Sequence, residues 1–427
     1  MKLLIKGGRV IDPASGKDKK GNVYIEDGKI KSHPADTKKI EGEKGVEVID
    51  AKGKIVAPGL VDIHVHLREP GFEHKETIKT GCESAAAGGF TSIVCMPNTN
   101  PINDNASVTE YIMLKARTEG IVNVFPIGAI TKGEKGETLA QIGEMYEAGC
   151  VGISDDGMPV MNSKVMRHAM EYVKAFGIPV LTHAEDKDLS GHGVMNEGDT
   201  STLLGLGGIP SASEDVMVSR DITLAELTGT HLHVCHVSTA GAVRLIRAAK
   251  KRGVRVTAEA APHHFTLTDR AVAEYDTNAK MNPPLRREAD RAALIEGLQD
   301  GTIDAIATDH APHSEDEKKV EFDLAPFGIV GLETSLPLSL KLVEDGILTL
   351  QEMIEKMTSV PSRILNLGRG TLEAGAPGDV VIFDADAPVK IDRTKFRSKS
   401  KNTPFNGWDL KGRVLYTIVG GKVVYRG

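Results

Sequence analysis

The chain has 427 residues, enough for one large domain and a small one. Its 52 Lys and Arg against 59 Asp and Glu give a net charge of −7, which offers no electrostatic reason to expect nucleic acid or an anionic membrane as partner. No apolar run nears the ~18 residues of a membrane span, and the N-terminal MKLLIKGGRVIDP has neither a long apolar stretch nor a small-residue cleavage site, so neither a membrane anchor nor a secretory leader is expected. Cys82, Cys95, Cys150 and Cys235 include no CxxC pair, and three of them lie in apolar strand-like runs. That pattern predicts buried thiols in a reducing cytoplasm instead of a disulfide framework.

In chain order, the first predicted element is a hairpin, NVYIEDGKI, with apolar alternation broken by an Asp-Gly turn. The C-terminal DVVIFDAD and VLYTIVGGKVVYRG repeat that pattern around Gly-Gly. Neither end has enough strands for a core of its own. Residues 1–56 and 370–427 are therefore expected to form one small β-sandwich domain together. Between them, eight short apolar runs alternate with helix-length segments: GLVDIHVHL, GFTSIVCMPN, VNVFPIGAI, CVGISDD, IPVLTH, HLHVCHVS, GVRVTAEA and TIDAIATDH. Alternation of this kind predicts a parallel sheet, and eight strands close a (β/α)8 TIM-type barrel over residues 57–369. Helices are expected at 74–87, 104–118, 137–148, 163–176, 214–228, 240–252, 287–299 and from about 331, with Asn103–Asp104 and Ser213 as start signals.

Barrel enzymes draw their catalytic groups from the C-terminal ends of the strands. Here His64 and His66 end strand 1, Asn98 follows strand 2, Asp155–Asp156 end strand 4, His183 ends strand 5, His236 ends strand 6 and Asp309 ends strand 8. His64 and His66, two apart, point to one face, which Asp62 shares by parity; in a barrel that face is the lumen. Asp309 shares the parity of Ile303, Ala305 and Ala307, and a carboxylate there is costly to bury unless paired or metal-bound. His236 is favoured over His233 because it lies nearest the strand end, while His231 and His233 face the other way. Four imidazoles with a carboxylate suit zinc, and two ions sharing a hydroxide would lower its pKa. Strand 4 ends without a lysine, so a bridging anion must come from Asp155 or Asp156, and Asp156, beside Gly157, is preferred. Arg68, two residues past the metal pair, offers a planar fork for a carboxylate. Asn98 after Met96–Pro97 and Asn282 before Pro283–Pro284 sit on stiff loops, where asparagine can also be only a turn former.

The segments VDIHVHLREPG, GGFTSIVCMPNTNP, GISDDG, LTHAED, HVSTAG, MNPPLR, IATDHAPH and PFG together resemble the dihydroorotases of the amidohydrolase superfamily, in the subgroup with aspartate in place of a carboxylated lysine. The resemblance implies reversible hydrolysis of dihydroorotate to N-carbamoyl-aspartate in pyrimidine biosynthesis, with two Zn2+ per subunit. It implies His64, His66 and Asp309 on the first zinc, Asp156 as the bridge, His183 and His236 on the second, and Asp309 as catalytic acid/base. Substrate positions follow in the same way: His66, Arg68, Asn98, Asn282 and His313, with Phe327 and Gly328 lining the ring. A homo-oligomer is implied as well, and aspartate transcarbamoylase is a candidate partner. The loops at about 184–213 and 311–330 could serve as lids. Two other readings remain: a hydantoinase- or allantoinase-like hydrolase, and a non-catalytic subunit supporting the transcarbamoylase.

Overall fold

The computed structural model describes residues 2–427, with a ring of parallel strands at its centre. Leu60–Val65, Phe90–Cys95 and Asn123–Pro126 pair in that order. Val180–Thr182, Leu232–Val234, Val256–Ala260 and Ala305–Ile306 make a second parallel run. Ile153 joins the two by bridging Gly128 and Val180, and Val65 closes the ring by bridging His310. The chain thus forms the (β/α)8 barrel expected of it, with the fourth strand reduced to the bridge at Ile153. Just beyond that bridge the Asp155 carboxylate replaces the ladder, accepting the Ile130 N–H at 2.7 Å and the Thr131 N–H at 2.9 Å.

Helices cover the ring, among them Ile78–Ala87, Ala106–Glu119, Ser163–Val173, Ser211–Thr228, Ala240–Lys251 and Glu288–Asp300. Side-chain caps start several of them. Asn105 accepts the N–H groups of Ser107 and Val108, and Thr239 accepts that of Ala242. The start signals placed at Asn103 and Ser213 are corrected. Asn103 is buried and donates to the Ile127 carbonyl, while Ser213 lies inside its helix and donates to the Asp186 carbonyl.

Simple alternation also fails in the first strand. Val61 and Ile63, not Asp62, join the apolar cluster with Val94, Met96, Ile127, Leu181, Cys235, Ala305 and Ala307, floored by Ile364 and Leu365. The pairing with the second strand slips between Leu60 and Val61 and again between Asp62 and Val65, which breaks the period of two. Asp62 is buried and accepts the N–H groups of His64 and Thr308. On the last strand, Ala305 and Ala307 belong to this cluster as expected, but Ile303 packs with the helices outside.

Both chain ends contribute to one eight-stranded sheet. It comprises Lys2–Asp12, Lys17–Glu26, Lys29–Ser32, Val46–Asp50, Ile55–Pro58, Val380–Lys390, Asp409–Val419 and Lys422–Arg426. Leu3, Ile5, Ile25, Ile30, Ile49, Val380, Ile382 and Ile418 share one core within it. Distant strands in the pairing order meet there because the turns touch. A Cβ on Gly28 would lie 3.3 Å from the Gly420 carbonyl oxygen, so the sheet wraps over its own apolar face.

Candidate metal centre and substrate pocket

The expected strand-end residues converge at the C-terminal mouth of the barrel. A cavity of about 440 Å³ is lined by His66, Arg68, Asn98, Asp156, His183, His236, Asn282, Asp309, His313, Phe327 and Gly328. His64 lies just beneath this lining, 1 % exposed. Its Nε2 is 3.5 Å from Asp156 Oδ1 and 3.6 Å from Asp309 Oδ1. His66 Nε2 is 3.1 Å from Asp309 Oδ1, and its Nδ1 donates to Asn98 Oδ1 at 2.9 Å. Asn98 Nδ2 in turn donates to Asp156 Oδ2 at 2.5 Å. On the far side, His183 Nδ1 faces His236 Nε2 at 3.0 Å.

Backbone strain is concentrated at this mouth. Arg68, Asp156, His236 and Asp309 have φ of 61°, 41°, 30° and 48°. Side chains other than glycine adopt that region at a cost of about 1–3 kcal/mol each, and such residues cluster at functional sites. For His236 the consequence is specific. Its parity follows the outward-facing Leu232 and Val234, and the left-handed turn after the strand brings its ring to the cavity. His233, the rival, stays in the barrel wall between Thr257 Oγ1 at 2.9 Å and Glu259 Oε2 at 3.0 Å. The Asp155–Asp156 ambiguity resolves in the same way. Asp155 is consumed by the third-strand loop, including the Thr131 hydroxyl, whereas Asp156 lines the cavity.

The electrostatics keep the two mouth carboxylates charged. Burial alone would raise the Asp309 carboxyl, but the contact with His66 and the charge of His64 hold it below the usual range. Asp156 is likewise held well below that range: burial opposes ionisation, but His66, His64 and His183 outweigh it. His236 is pushed well down, by burial first and then by His183 and His64.

Does this donor set fit a metal? His64 Nε2 and His236 Nδ1 are buried with no hydrogen-bond partner, which is costly unless something else meets them. Ligand atoms of His64, His66 and Asp156 lie within 4.8 Å of one another. Imidazole with carboxylate is the donor chemistry of zinc and its neighbours. The residues fit. A second trio, His64, Cys235 and Glu259, also lies that close. It fits poorly, because Glu259 is occupied by histidine rings and burial pushes the Cys235 thiol up to about 12.

Two acids at the site escaped sequence reasoning. Glu185 Oε2 accepts from Lys187 Nζ at 2.6 Å and Asn282 Nδ2 at 2.9 Å, and lies 3.1 Å from His183 Nε2. Glu259 is the lone charge in the strand Val256–Ala260, and that isolation was the available signal.

Comparison with known proteins shows the family. The dihydro-orotase-like family model matches residues 53–242, and an amidohydrolase family model matches residues 342–425. A dihydroorotase of Geobacter sp. strain M21 is 59% identical over 426 residues, covering 100% of both chains. One from Pelotomaculum thermopropionicum is 59% identical over 425 residues, covering 99% of this chain and 98% of its own. The chain belongs to the dihydroorotase family. Among solved structures, L-hydantoinase from Arthrobacter aurescens superposes with a TM-score of 0.89 at 28% identity, covering 99% of this chain and 96% of that one. Dihydropyrimidinase from Brevibacillus agri gives 0.86 at 24% identity over 100% and 95%, a likeness of fold. No described helix is long and apolar enough to cross a membrane.

Proposed function

We propose that this amidohydrolase uses two zinc ions to open dihydroorotate reversibly to N-carbamoyl-aspartate. The observation that carries this reading is a single cavity holding Arg68, Asn98, Asn282 and His313 together with the His/Asp cluster. The family relationship supports it independently. His64, His66 and Asp309 would hold one ion, His183 and His236 the other, with Asp156 between them. Such a pair, when bound, supplies Lewis acidity toward the ring carbonyl and a water made nucleophilic at neutral pH.

The chain's own groups do the rest. Asp309 Oδ1, 3.1 Å from His66 Nε2, takes a proton as water adds to the carbonyl carbon. It returns that proton to the ring nitrogen as the C–N bond breaks, leaving a ureido group and a carboxylic acid that releases the second proton of water to solvent as it ionises. Arg68 binds the ring carboxylate as a charge-assisted partner. Its Nε donates to the Pro312 carbonyl at 3.2 Å and its Nη2 lies 3.3 Å from His313 Nε2, which fixes the fork beside the loop that carries Phe327 and Gly328. His313 Nε2 in turn is 2.8 Å from the Phe327 carbonyl. Burial and the Arg68 charge depress the His313 pKa, which favours the uncharged ring.

The structural likeness to hydantoinases and dihydropyrimidinases defines the test. A site built around a charged group rejects ligands that lack it, because its own polar groups are left unpaired. The zinc-loaded protein should therefore hydrolyse dihydroorotate with a far higher kcat/KM than dihydrouracil, the same ring without the carboxylate. Arg68→Met should erase most of that preference while leaving zinc content intact. A wild type that prefers dihydrouracil or a hydantoin would replace the dihydroorotate reading with a general cyclic amidase.

A further inference from the structure

Glu259 sits on the seventh barrel strand, beneath the cavity lining and 1 % exposed. Its carboxylate nevertheless touches both halves of the His/Asp cluster. Oε1 lies 2.8 Å from His64 Nδ1 and accepts the backbone N–H of His236 at 3.3 Å. Oε2 lies 3.0 Å from His233 Nε2, and that ring is tied through Nδ1 to Thr257 Oγ1 at 2.9 Å. One oxygen thus faces the site and the other is anchored in the barrel wall.

Each contact has a physical consequence. An imidazole with Nδ1 held by a carboxylate presents Nε2 as its lone-pair donor, and the partner also fixes the ring plane. His64 is arranged in this way, with Nδ1 on Glu259 and Nε2 buried without a partner. The bond to His236 acts on the backbone, at a residue whose φ of 30° needs its surroundings to hold it. A buried carboxylate is expensive to desolvate, and exchanging a whole buried ion pair for apolar groups of similar volume is often no loss to stability, whereas removing one partner alone is costly. Fold stability alone therefore gives little reason for an ionised side chain here.

We propose that Glu259 is a positioning residue that sets the His64 tautomer and holds the His236 turn, so that one carboxylate organises metal ligands on both sides of the centre. This rests on the metal-centre reading above. The charge serves the bound metal and not the fold, so affinity and metal-free stability should separate when it is removed.

The test is a zinc titration against a chromophoric chelator, paired with thermal unfolding of the metal-free protein. Glu259→Gln keeps the shape and removes the charge. It should bind zinc about 10–100-fold more weakly, the usual cost of losing such an outer partner, while the metal-free Tm changes little, because the amide oxygen can still accept from His64 Nδ1 and the His236 N–H. His233→Gln removes only the anchor of Oε2 and should weaken zinc binding less. A wild type that binds no zinc would sink the metal centre and this proposal together. If wild type binds zinc and Glu259→Gln matches its affinity, the role of Glu259 alone is lost. It is equally lost if the variant's metal-free Tm falls in step with its affinity, because the side chain would then be structural. Should Glu259→Gln fail to accumulate as folded protein, His233→Gln decides on the same titration: weaker zinc binding supports the proposal, and unchanged binding overturns it.

Discussion

In the sheet made from the chain ends, left-handed backbone occurs at turns such as Asp27–Gly28 and Gly420–Gly421, where it reverses a hairpin. At the barrel mouth the same conformation falls on Arg68, Asp156, His236 and Asp309, side chains that line the cavity. The core of the sheet is aliphatic, whereas beneath the mouth lie Asp62, His64, His233 and Glu259, all nearly inaccessible. Strain and buried charge are expensive wherever they occur. The sheet places most of its left-handed backbone on glycine, and its one fully buried carboxylate, Asp12, sits at a strand end where Ser15, Thr371 and the Leu372 N–H donate to it. The mouth accepts both costs, which is the mark of a region shaped by chemistry instead of stability.

Substitutions can break this contrast. The largest effect is expected at the two adjacent acids. Asp156→Ala should abolish turnover and lower zinc content toward one ion or none, read by elemental analysis. Asp155→Ala should act through stability: it strands two buried N–H groups and a hydroxyl, each worth about 1–3 kcal/mol when unsatisfied. Zinc loss confined to Asp155→Ala would move the ligand one residue upstream.

Next in size is Asp309→Asn, in which asparagine tolerates the φ of 48°. Loss of one acid/base group costs about 10²–10⁴-fold, so kcat should fall by that much while substantial zinc remains. Near-normal kcat would end the proton-transfer role. In the end sheet the effect should change kind. Ile25 is fully buried, and Ile25→Ala should cost about 2–5 kcal/mol in urea unfolding. Its kcat/KM for dihydroorotate, measured well below the unfolding transition, should match wild type.

The smallest effect concerns pH. Lys318 Nζ donates to the carbonyls of Thr277, Lys280 and Pro326, and so ties down the loop that carries Phe327. Burial, with the neighbouring Lys280 charge, pushes this amine down to about 7. Between that value and the ordinary lysine range the unfolded chain binds more protons than the folded one, so this group makes stability rise with pH. Lys318→Met should flatten the gain in Tm between pH 7 and 9. An unchanged slope would show that the amine stays charged in its carbonyl cage.

The barrel was legible in the sequence because its signals are local: eight apolar runs, helix-length spacers and polar residues at strand ends. Asp309 could be placed by counting from Ala305 and Ala307, although Ile303, of the same parity, packs outside. Parity misled at Asp62, where two register slips intervene, and gave no support to His236, which reaches the cavity by a left-handed turn. Glu185 and Glu259 went unassigned because their partners are distant in sequence. Glu259 meets His64 195 positions away, and Asn282 reaches Glu185 across 97.

The sequence by itself determined the fold class, the strand-end placement of the site and the residue types available there. These follow from periodicity and from chemistry carried by single side chains. Only the tertiary structure gave the physical reason why one of two neighbouring residues lines the cavity, as between Asp155 and Asp156 or His233 and His236. That choice depends on which hydrogen bonds are already taken. It also fixed the carboxylates behind the imidazoles, because a buried charge is selected by the donors that surround it in space, and barrel closure brings those donors together from strands far apart in the chain.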